Sequence, residues 1–270
     1  KEIKMLQILA FLISVYGWAA APEISIVTPK KTIKLSLTEL KSKLPLKVVE
    51  IDDPVYKAKK SYDGFLLSDV FNFAGLTPDE SADEIVFTAK DGYAPNMGFA
   101  ALKKHVGYLV YQEHGKKAGY FETVLQGKAK ISPGPFYVVW QEGAAIEHQV
   151  PWPYQLIKIE AVQFSEKYAL MYPKDVKAES PERRGFSVFK SECLRCHSIN
   201  LQGGEVGPEL NAPKSITEYW KTEVLQAFIK APVSFRYKSK MPPFGHLKGE
   251  QIEDLISYLR YMARHKIQNP

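Results

Sequence analysis

Five consecutive residues decide the interpretation of this chain: Cys193-Leu194-Arg195-Cys196-His197. A Cys-x-x-Cys-His run is the attachment site of a c-type haem. The two thiols lie three positions apart on one helical turn, so each can add across a haem vinyl group, and the imidazole of His197 becomes the proximal iron ligand. A thioredoxin-like redox pair and half of a zinc site are the alternatives. Covalent haem is favoured because Cys193 and Cys196 are the only cysteines in the chain.

A second axial ligand is expected downstream of this motif. Met241 lies 44 residues after His197, in the stretch Ser-Lys-Met-Pro-Pro-Phe at 239–244. The paired prolines disfavour a helix, so we expect an extended loop that lays the Met241 thioether against the haem. A methionine ligand favours the ferrous state. His246 is a competing ligand five residues later, but the Met-Pro-Pro sequence favours Met241.

The flanks of the motif predict helices and one tight loop. The sequence Gly185-Phe186-x-x-Phe189 leads helically into the cysteines, a glycine-rich stretch at 203–210 predicts a tight loop, and residues 220–230 predict a short helix. Apolar residues recur at helical spacing near the end of the chain and predict one buried helix face. They are Ile252, Leu255, Ile256, Leu259 and Met262.

Residues from about 182 to 266 therefore resemble a class I (mitochondrial-type) cytochrome c domain. The resemblance rests on the haem motif, the Gly-Pro-x-Leu loop, the Met-Pro-Pro loop and the terminal helix, in that order. It implies an all-α fold, one covalently bound haem c, His197 and Met241 as axial ligands of the iron, and one-electron transfer at an exposed haem edge.

The start of the chain predicts the compartment. Lys1 and Lys4 precede an apolar run at 5–18 and three alanines at 19–21. This is the pattern of a secretory signal peptide, assigned to residues 1–21. Bacterial haem attachment takes place outside the cytoplasm, so both ends of the chain predict a periplasmic protein. An uncleaved anchor is the alternative, and only then is a membrane a partner.

The remaining residues predict a two-domain α+β chain, with a mostly-β domain at 22–175 and the cytochrome domain at 180–270. A polar, proline-bearing stretch at 173–182 separates them. Short β-branched or aromatic runs bounded by turn residues predict strands at 24–27, 31–37, 47–51, 85–89, 108–112, 136–140 and 156–164. Helices are expected at 67–74, with Ser68 as N-cap, and at 99–104.

The first domain resembles the molybdopterin-binding domain of the sulfite oxidase family. The motifs that carry the resemblance are the segment from Tyr62 to Phe71, the turn Asp91-Gly92-Tyr93 and the strand that begins Gly134-Pro135. That family binds molybdenum through a cysteine and its anionic groups through arginines. Residues 1–182 contain neither, so we expect a fold that has lost its molybdopterin site.

Charge is divided unevenly between the two predicted domains. Residues 22–179 hold 20 Lys and 20 acidic residues, whereas residues 180–270 hold 14 basic and 9 acidic residues. An acidic redox partner is one explanation and an ordinary solvated surface is the other. Nucleic acid is excluded as a partner by the predicted compartment. The candidate docking lysines are Lys214, Lys221, Lys238, Lys240 and Lys248.

Three functions are compatible with these features. The leading hypothesis is an electron carrier without catalytic residues, in which the first domain serves for docking or tethering. The second is a sulfite-dehydrogenase-like enzyme that passes electrons from a pterin or metal to the haem. The third is a haem sensor from which Met241 dissociates. His105, His114 and His148 lack ligand spacing and are expected at the surface or hydrogen-bonded.

Overall fold

The computed structural model describes residues 21–76, 82–126 and 129–267. Residues 22–175 are termed the front region and residues 180–270 the C-terminal region. The predicted signal peptide lies outside the described residues, except for Ala21. No helix within the described ranges is both long and apolar enough to cross a membrane.

Strands dominate the front region, as predicted. They are β1 (Glu23–Val27), β2 (Thr32–Ser36), β3 (Lys47–Asp53), β4 (Ala58–Leu66), β5 (Glu84–Ala89), β6 (Asn96–Gly98), β7 (Gly107–Glu113), β8 (Val124–Gln126), β9 (Ala129–Ile131), β10 (Tyr137–Trp140) and β11 (Leu156–Val162). The helices are α1 (Leu37–Lys43), α2 (Leu67–Ala74), α3 (Phe99–Leu102), α4 (Phe164–Lys167) and a 3-10 helix, Gly143–Ile146.

Two sheets form the body of the front region. One has the strand order β2-β1-β11-β5-β6 and the other β10-β7-β4-β3. β1 and β11 pair in parallel, with Ser25 opposite Lys158, so the last strand closes the region onto its first. Large aromatic side chains fill the interior. The largest fully buried ones are Trp140, Tyr62, Tyr137, Phe65, Phe87 and Phe136.

The C-terminal region is helical apart from one short pair of strands, so the all-α expectation is corrected at that point. Its helices are α5 (Pro181–Val188), α6 (Ile216–Tyr219), α7 (Thr222–Lys230), α8 (Pro232–Phe235) and α9 (Gly249–Ala263). The strands are β12 (Ser198–Ile199) and β13 (Gln202–Gly203). A π-helical turn, Phe189–Cys193, extends α5 into the cysteine motif.

Helices α5 and α9 cross in direct contact at Gly185. A Cβ atom on Gly185 would collide with the backbone carbonyl of Asp254, so only glycine allows this approach. The Arg184 guanidinium donates two hydrogen bonds of 2.7 Å to the Asp254 carboxylate at the same crossing. Tyr258 lies beneath both Phe186 and Phe189. The helix that carries the cysteines is therefore fixed against the end of the chain.

Two sequence-based expectations about helices in the front region need correction. Helix α2 covers the predicted residues, but Leu66 is its N-cap and Ser68 makes no cap hydrogen bond. Helix α1 was not predicted from the sequence, and its first residue, Leu37, was expected to be the last residue of a strand. Its start carries a capping box, in which the Ser36 hydroxyl accepts a hydrogen bond from the Glu39 amide and the Glu39 carboxylate accepts one from the Ser36 amide.

Candidate haem site

The four residues predicted to bind haem line one cavity of about 1330 Å³. Cys193 and Cys196 are free thiols on the turn that follows α5. Their spacing is fixed by hydrogen bonds from the amides of Cys196 and His197 to the Cys193 carbonyl, at 3.0 and 2.9 Å. Met241 reaches the same cavity from its proline-bearing loop. Two thiols, an imidazole and a thioether in one cavity are a donor set that fits a covalently bound haem.

The surroundings of His197 suit an iron ligand. Its Nδ1 lies 2.8 Å from the carbonyl oxygen of Pro208. An Nδ1–H that donates to this oxygen fixes the tautomer and leaves the lone pair of Nε2 available for a metal. Burial lowers the pKa of His197, which keeps the imidazole neutral. The ring leaves no room for a Cβ atom on Gly207, so the Gly-Pro loop can approach only with glycine at that position.

The two thiols lie in a different electrostatic setting from reactive or metal-binding cysteines. Burial raises the pKa of Cys193 to about 12 and that of Cys196 to about 11. Low-pKa thiolates are the form used in redox pairs and zinc sites. No group of three or more His, Cys, Asp or Glu side chains that could hold a metal ion occurs in the described part of the chain. The raised pKa values of the thiols do not favour a redox pair, and the described residues offer too few further ligands near the cysteines for a structural zinc site.

The Met241 loop is non-helical, as its prolines predicted. The Met241 amide donates to the Ser239 hydroxyl at 3.2 Å, and the Phe244 amide donates to the Ile229 carbonyl of α7 at 3.1 Å. The first bond is local to the loop, and the second ties the loop to α7, which contributes side chains to the cavity wall. His246 also lines the cavity, and its ring lies 3.7 Å from the Glu192 carboxylate. The competition between Met241 and His246 for the iron stays a prediction.

The cavity walls are mostly apolar and come from the helices of the C-terminal region. Apolar walls keep water from the iron and hold the planar macrocycle by contact. The side chains that form them include Phe189, Ile216, Leu225, Ile229, Phe244, Leu255 and Leu259. Leu255 and Leu259 lie on the face of α9 that the sequence predicted to be buried.

Sequence reasoning missed a second wall, which the front region supplies. Residues from two places in that region line the same cavity: Glu84, Pro95, Asn96 and Gly98 around β5 and β6, and residues 147–151 after the 3-10 helix. No local pattern marks these residues, because their contacts are with residues far away in sequence. The predicted turn Asp91-Gly92-Tyr93 lies at the same junction.

Backbone hydrogen bonds join this turn to the haem motif. The Ala94 amide donates to the Arg195 carbonyl and the Glu205 amide donates to the Gly92 carbonyl, both at 2.9 Å. Gly92 has a φ of +87°, and a Cβ atom there would lie 2.7 Å from Cβ of Glu205. The turn thus packs directly on the loop that carries Cys196.

An ion pair crosses the same interface. The Lys190 ammonium lies 2.5 Å from the Glu84 carboxylate and 3.7 Å from the centre of the Phe164 ring. Asn96 donates a hydrogen bond to the same carboxylate. The front region is therefore fixed to the helix that leads into the cysteines.

The remaining candidate residues are spread over the surface. His105 pairs with Glu142 at 3.0 Å and His114 with Asp63 at 2.6 Å, whereas His148 is exposed at the cavity. The five candidate docking lysines are all exposed, and Lys240 is the one that lines the cavity.

Comparison with known proteins agrees with this geometry. Residues 180–259 match the family profile described as cytochrome C oxidase, cbb3-type, subunit III. A cytochrome c of Theileria parva is 30% identical over 106 residues, which cover 33% of this chain and 91% of that protein. The chain belongs to the cytochrome c family. A cytochrome c of Arabidopsis thaliana is 25% identical over 107 residues, 33% of this chain and 96% of that protein.

One further relative matches a larger part of this chain than the cytochromes c do. Cytochrome c oxidase subunit 2 of Alkalihalophilus pseudofirmus is 26% identical over 232 residues, which cover 72% of this chain. This chain spans 66% of the length of that subunit. The match reaches beyond the C-terminal region. None of these similarities carries the sulfite oxidase resemblance of the front region, which stays a prediction.

Membership in this family identifies haem as the cofactor and electron transfer as the general function. A protein that transfers electrons needs a redox partner. The roles of the individual cavity residues, the compartment and the role of the front region are proposals.

Proposed function

We propose that this protein is a periplasmic c-type cytochrome that carries single electrons on one covalently bound haem. The observation that carries the proposal is the convergence of Cys193, Cys196, His197 and Met241 on one apolar cavity. The haem, when bound, supplies an iron that alternates between the ferric and ferrous states. The chain holds that iron, excludes water from it and controls access to it.

The cysteines supply the covalent bonds. Cys193 and Cys196 would each hold the haem by a thioether: the S–H bond and the π bond of one vinyl group would break, and a C–S bond and a C–H bond would form. His197 would be an iron ligand through Nε2, with its Nδ1–H held by the Pro208 carbonyl. Met241 would supply its thioether as a second iron ligand.

The front region acts as a docking module in this proposal, and residues 22–175 and 180–270 are two domains. The uneven charge of the two regions, with the basic excess in the C-terminal region, supports an acidic partner. The interface between the regions contains an ion pair and two backbone hydrogen bonds, so the front region holds a fixed position beside the haem cavity.

The test is elemental analysis of the chain produced with an active haem-maturation system. We expect about one iron per chain, in line with the single Cys-x-x-Cys-His motif. Haem staining after denaturing electrophoresis should be positive for the wild type and negative for the Cys193→Ala/Cys196→Ala double variant. Loss of haem from the wild type under denaturing conditions contradicts the proposal. A second transition metal in near-equal amount favours the enzyme hypothesis instead.

The axial ligand is tested separately by Met241→Ala, with His246→Ala as the matched control. We expect Met241→Ala to keep its covalent haem but to change the ferric absorption spectrum, because the sixth position is then open or refilled. His246→Ala should leave the spectrum unchanged. The reverse pattern identifies His246 as the ligand.

A further inference from the structure

A short loop holds the carbonyl group that contacts His197. Residues 207–210 are termed the proximal loop. The amides at its two ends donate hydrogen bonds to the residues on either side of His197, to the Cys196 carbonyl at 2.7 Å and to the Ser198 carbonyl at 3.0 Å. Pro208 lies between these bonds, and its carbonyl oxygen is 2.8 Å from Nδ1 of His197. The position of the proximal loop therefore decides how strong the hydrogen bond to His197 is.

Glu209 is the next residue of the proximal loop, and its half-buried side chain joins two separate backbone segments. The carboxylate accepts hydrogen bonds from four amides, two in the turn between β12 and β13 and two just after the loop. A carboxylate has about four lone-pair positions, so these donors use its whole capacity. Hydrogen bonds to an ionised group are also stronger than neutral ones. The donors are Asn200 at 2.9 Å, Leu201 at 3.0 Å, Asn211 at 2.8 Å and Ala212 at 2.9 Å.

The turn that Glu209 binds is not favoured by its own sequence. Asn200 and Leu201 have φ values of +52° and +63°, in a region that suits glycine and asparagine but not leucine. Leu201 is 60% exposed, so burial does not hold it in this conformation. The Asn200 side chain donates to the carbonyls of Leu170 and His265, both at 2.9 Å. The turn is thus attached to the front region and to the end of the chain, and Glu209 ties the proximal loop to it.

The charge of Glu209 also acts on His197. Burial lowers the pKa of His197, whereas the Pro208 carbonyl and the Glu209 carboxylate act in the opposite direction, because both favour positive charge on the imidazole. An imidazole whose Nδ1–H is held firmly by an acceptor is also a more basic ligand for a metal. Both effects favour the ferric state of a bound iron over the ferrous state.

We propose that Glu209 is a positioning residue for the haem ligand His197, and that it lowers the reduction potential of the haem by holding the Pro208 carbonyl against the imidazole. This inference rests on the proposed function and adds a residue that sets the driving force of electron transfer. Glu209 does not line the haem cavity, so it acts through the proximal loop and through its charge.

Two conservative substitutions in the full-length, haem-loaded protein test the proposal. Glu209→Gln keeps an oxygen for three of the four amides, but it removes the charge and turns an NH2 group toward the Leu201 amide. Glu209→Asp keeps the charge, but its shorter side chain reaches the amides of Asn211 and Ala212 and not the turn. For both variants we expect the equilibrium constant for haem reduction to rise about three- to ten-fold, where ten-fold is about 59 mV for one electron. A redox titration with mediators measures this constant.

Glu205→Gln is the matched control. It makes the same change in net charge four residues earlier, on an exposed side chain. Solvent and salt screen that charge, so the potential should stay close to that of the wild type. Hydrogen exchange gives a second readout on the same proteins. In Glu209→Asp the two turn amides should exchange faster than in the wild type, whereas the amides of Asn211 and Ala212 should keep their protection.

Three outcomes overturn the inference. If Glu209→Gln raises the potential and Glu209→Asp leaves it unchanged, only the charge matters and the positioning role is wrong. If Glu209→Gln shifts the potential no more than Glu205→Gln does, Glu209 has no part in setting it, although the protein is still a cytochrome. A wild-type chain without covalent haem overturns the proposed function and this inference together.

Discussion

The front region fills its interior with side chains, whereas the C-terminal region supplies most of the wall of a cavity of about 1330 Å³. In the front region a deeply buried carboxylate is satisfied by neighbouring side chains. Asp53, which is 1% exposed, accepts hydrogen bonds from the Tyr62 hydroxyl at 2.7 Å and the Tyr137 hydroxyl at 3.3 Å. The apolar walls of the cavity would instead pack against the haem. We therefore expect bound haem to add to the stability that the C-terminal region gains from its own apolar core.

Removal of haem should produce the largest difference in stability between the two regions. In the Cys193→Ala/Cys196→Ala variant we expect α5 and α9 to lose most of their amide protection, because ligand binding no longer favours the folded state. Strands β5 and β11 should keep theirs. Hydrogen exchange read by mass spectrometry measures both regions in one sample, and Cys193→Ala alone should give an intermediate result. Equal protection of α5 and α9 with and without haem contradicts a cofactor-dependent core.

The crossing of α5 and α9 gives the next largest effect. Gly185→Ala should destabilise the C-terminal region by about 3 kcal/mol, since the added methyl group meets backbone rather than a movable side chain. Gly249→Ala is the matched control, because a Cβ atom there meets nothing within 4 Å. That change should stabilise α9 by about 0.5 kcal/mol. Chemical denaturation followed by haem absorbance compares the two, and similar midpoints contradict the close packing.

A substitution at the interface between the regions should destabilise the protein less than one at the crossing of α5 and α9. Gly92→Ala strains a backbone with a φ of +87° and pushes against Glu205, at a cost of about 2 kcal/mol. The loss should appear as faster exchange of the Ala94 and Glu205 amides, with an unchanged haem spectrum. Gly115→Ala, which has a φ of +70° but open space around it, controls for backbone strain alone. Equal exchange in both variants would show that the steric contact with Glu205 adds nothing.

The smallest expected effect is a change in the stability of the front region with pH, which arises from Asp53. Burial raises the pKa of Asp53 despite its hydrogen bonds to Tyr62 and Tyr137. A raised folded-state pKa means that this group favours folding at low pH, and the contribution is lost as pH rises through the folded pKa. Relative to Asp53→Asn, the wild type should lose on the order of 1 kcal/mol as pH rises above about 4. Thermal melting across that range measures the difference, and parallel curves contradict the assignment.

The sequence predicted most strands and the residues of the site for a common reason. The strand runs alternate or cluster apolar residues locally, and the haem motif lies within five consecutive positions. Strand β4 was missed because Lys59, Lys60 and Asp63 are poor strand formers, although pairing with β3 and β7 places them in a central strand. Ser68 was predicted as the N-cap because serine is a common N-cap residue. The helix instead begins one residue earlier, directly after β4, and the sequence does not show where the preceding strand ends.

Local sequence patterns could not predict the wall that the front region adds to the cavity. Glu84 and Lys190 form an ion pair although they are 106 positions apart, and residues 147–149 line the cavity from a third part of the chain. Contacts of this kind depend on the relative placement of two folded units, which no local periodicity encodes. The same limit applies to Gly92, whose need for glycine arises from Glu205 on the far side of the interface.

The segment after β11 packs against the C-terminal region and restricts movement between the two regions. Phe164, Tyr168 and Met171 lie in the apolar core of the C-terminal region, and the Tyr258 hydroxyl of α9 donates to the Met171 carbonyl at 2.8 Å. The last part of the front region is thus packed into the C-terminal region, which leaves little freedom for the two regions to swing apart. We therefore expect the front region and the haem-binding helices to move as one body.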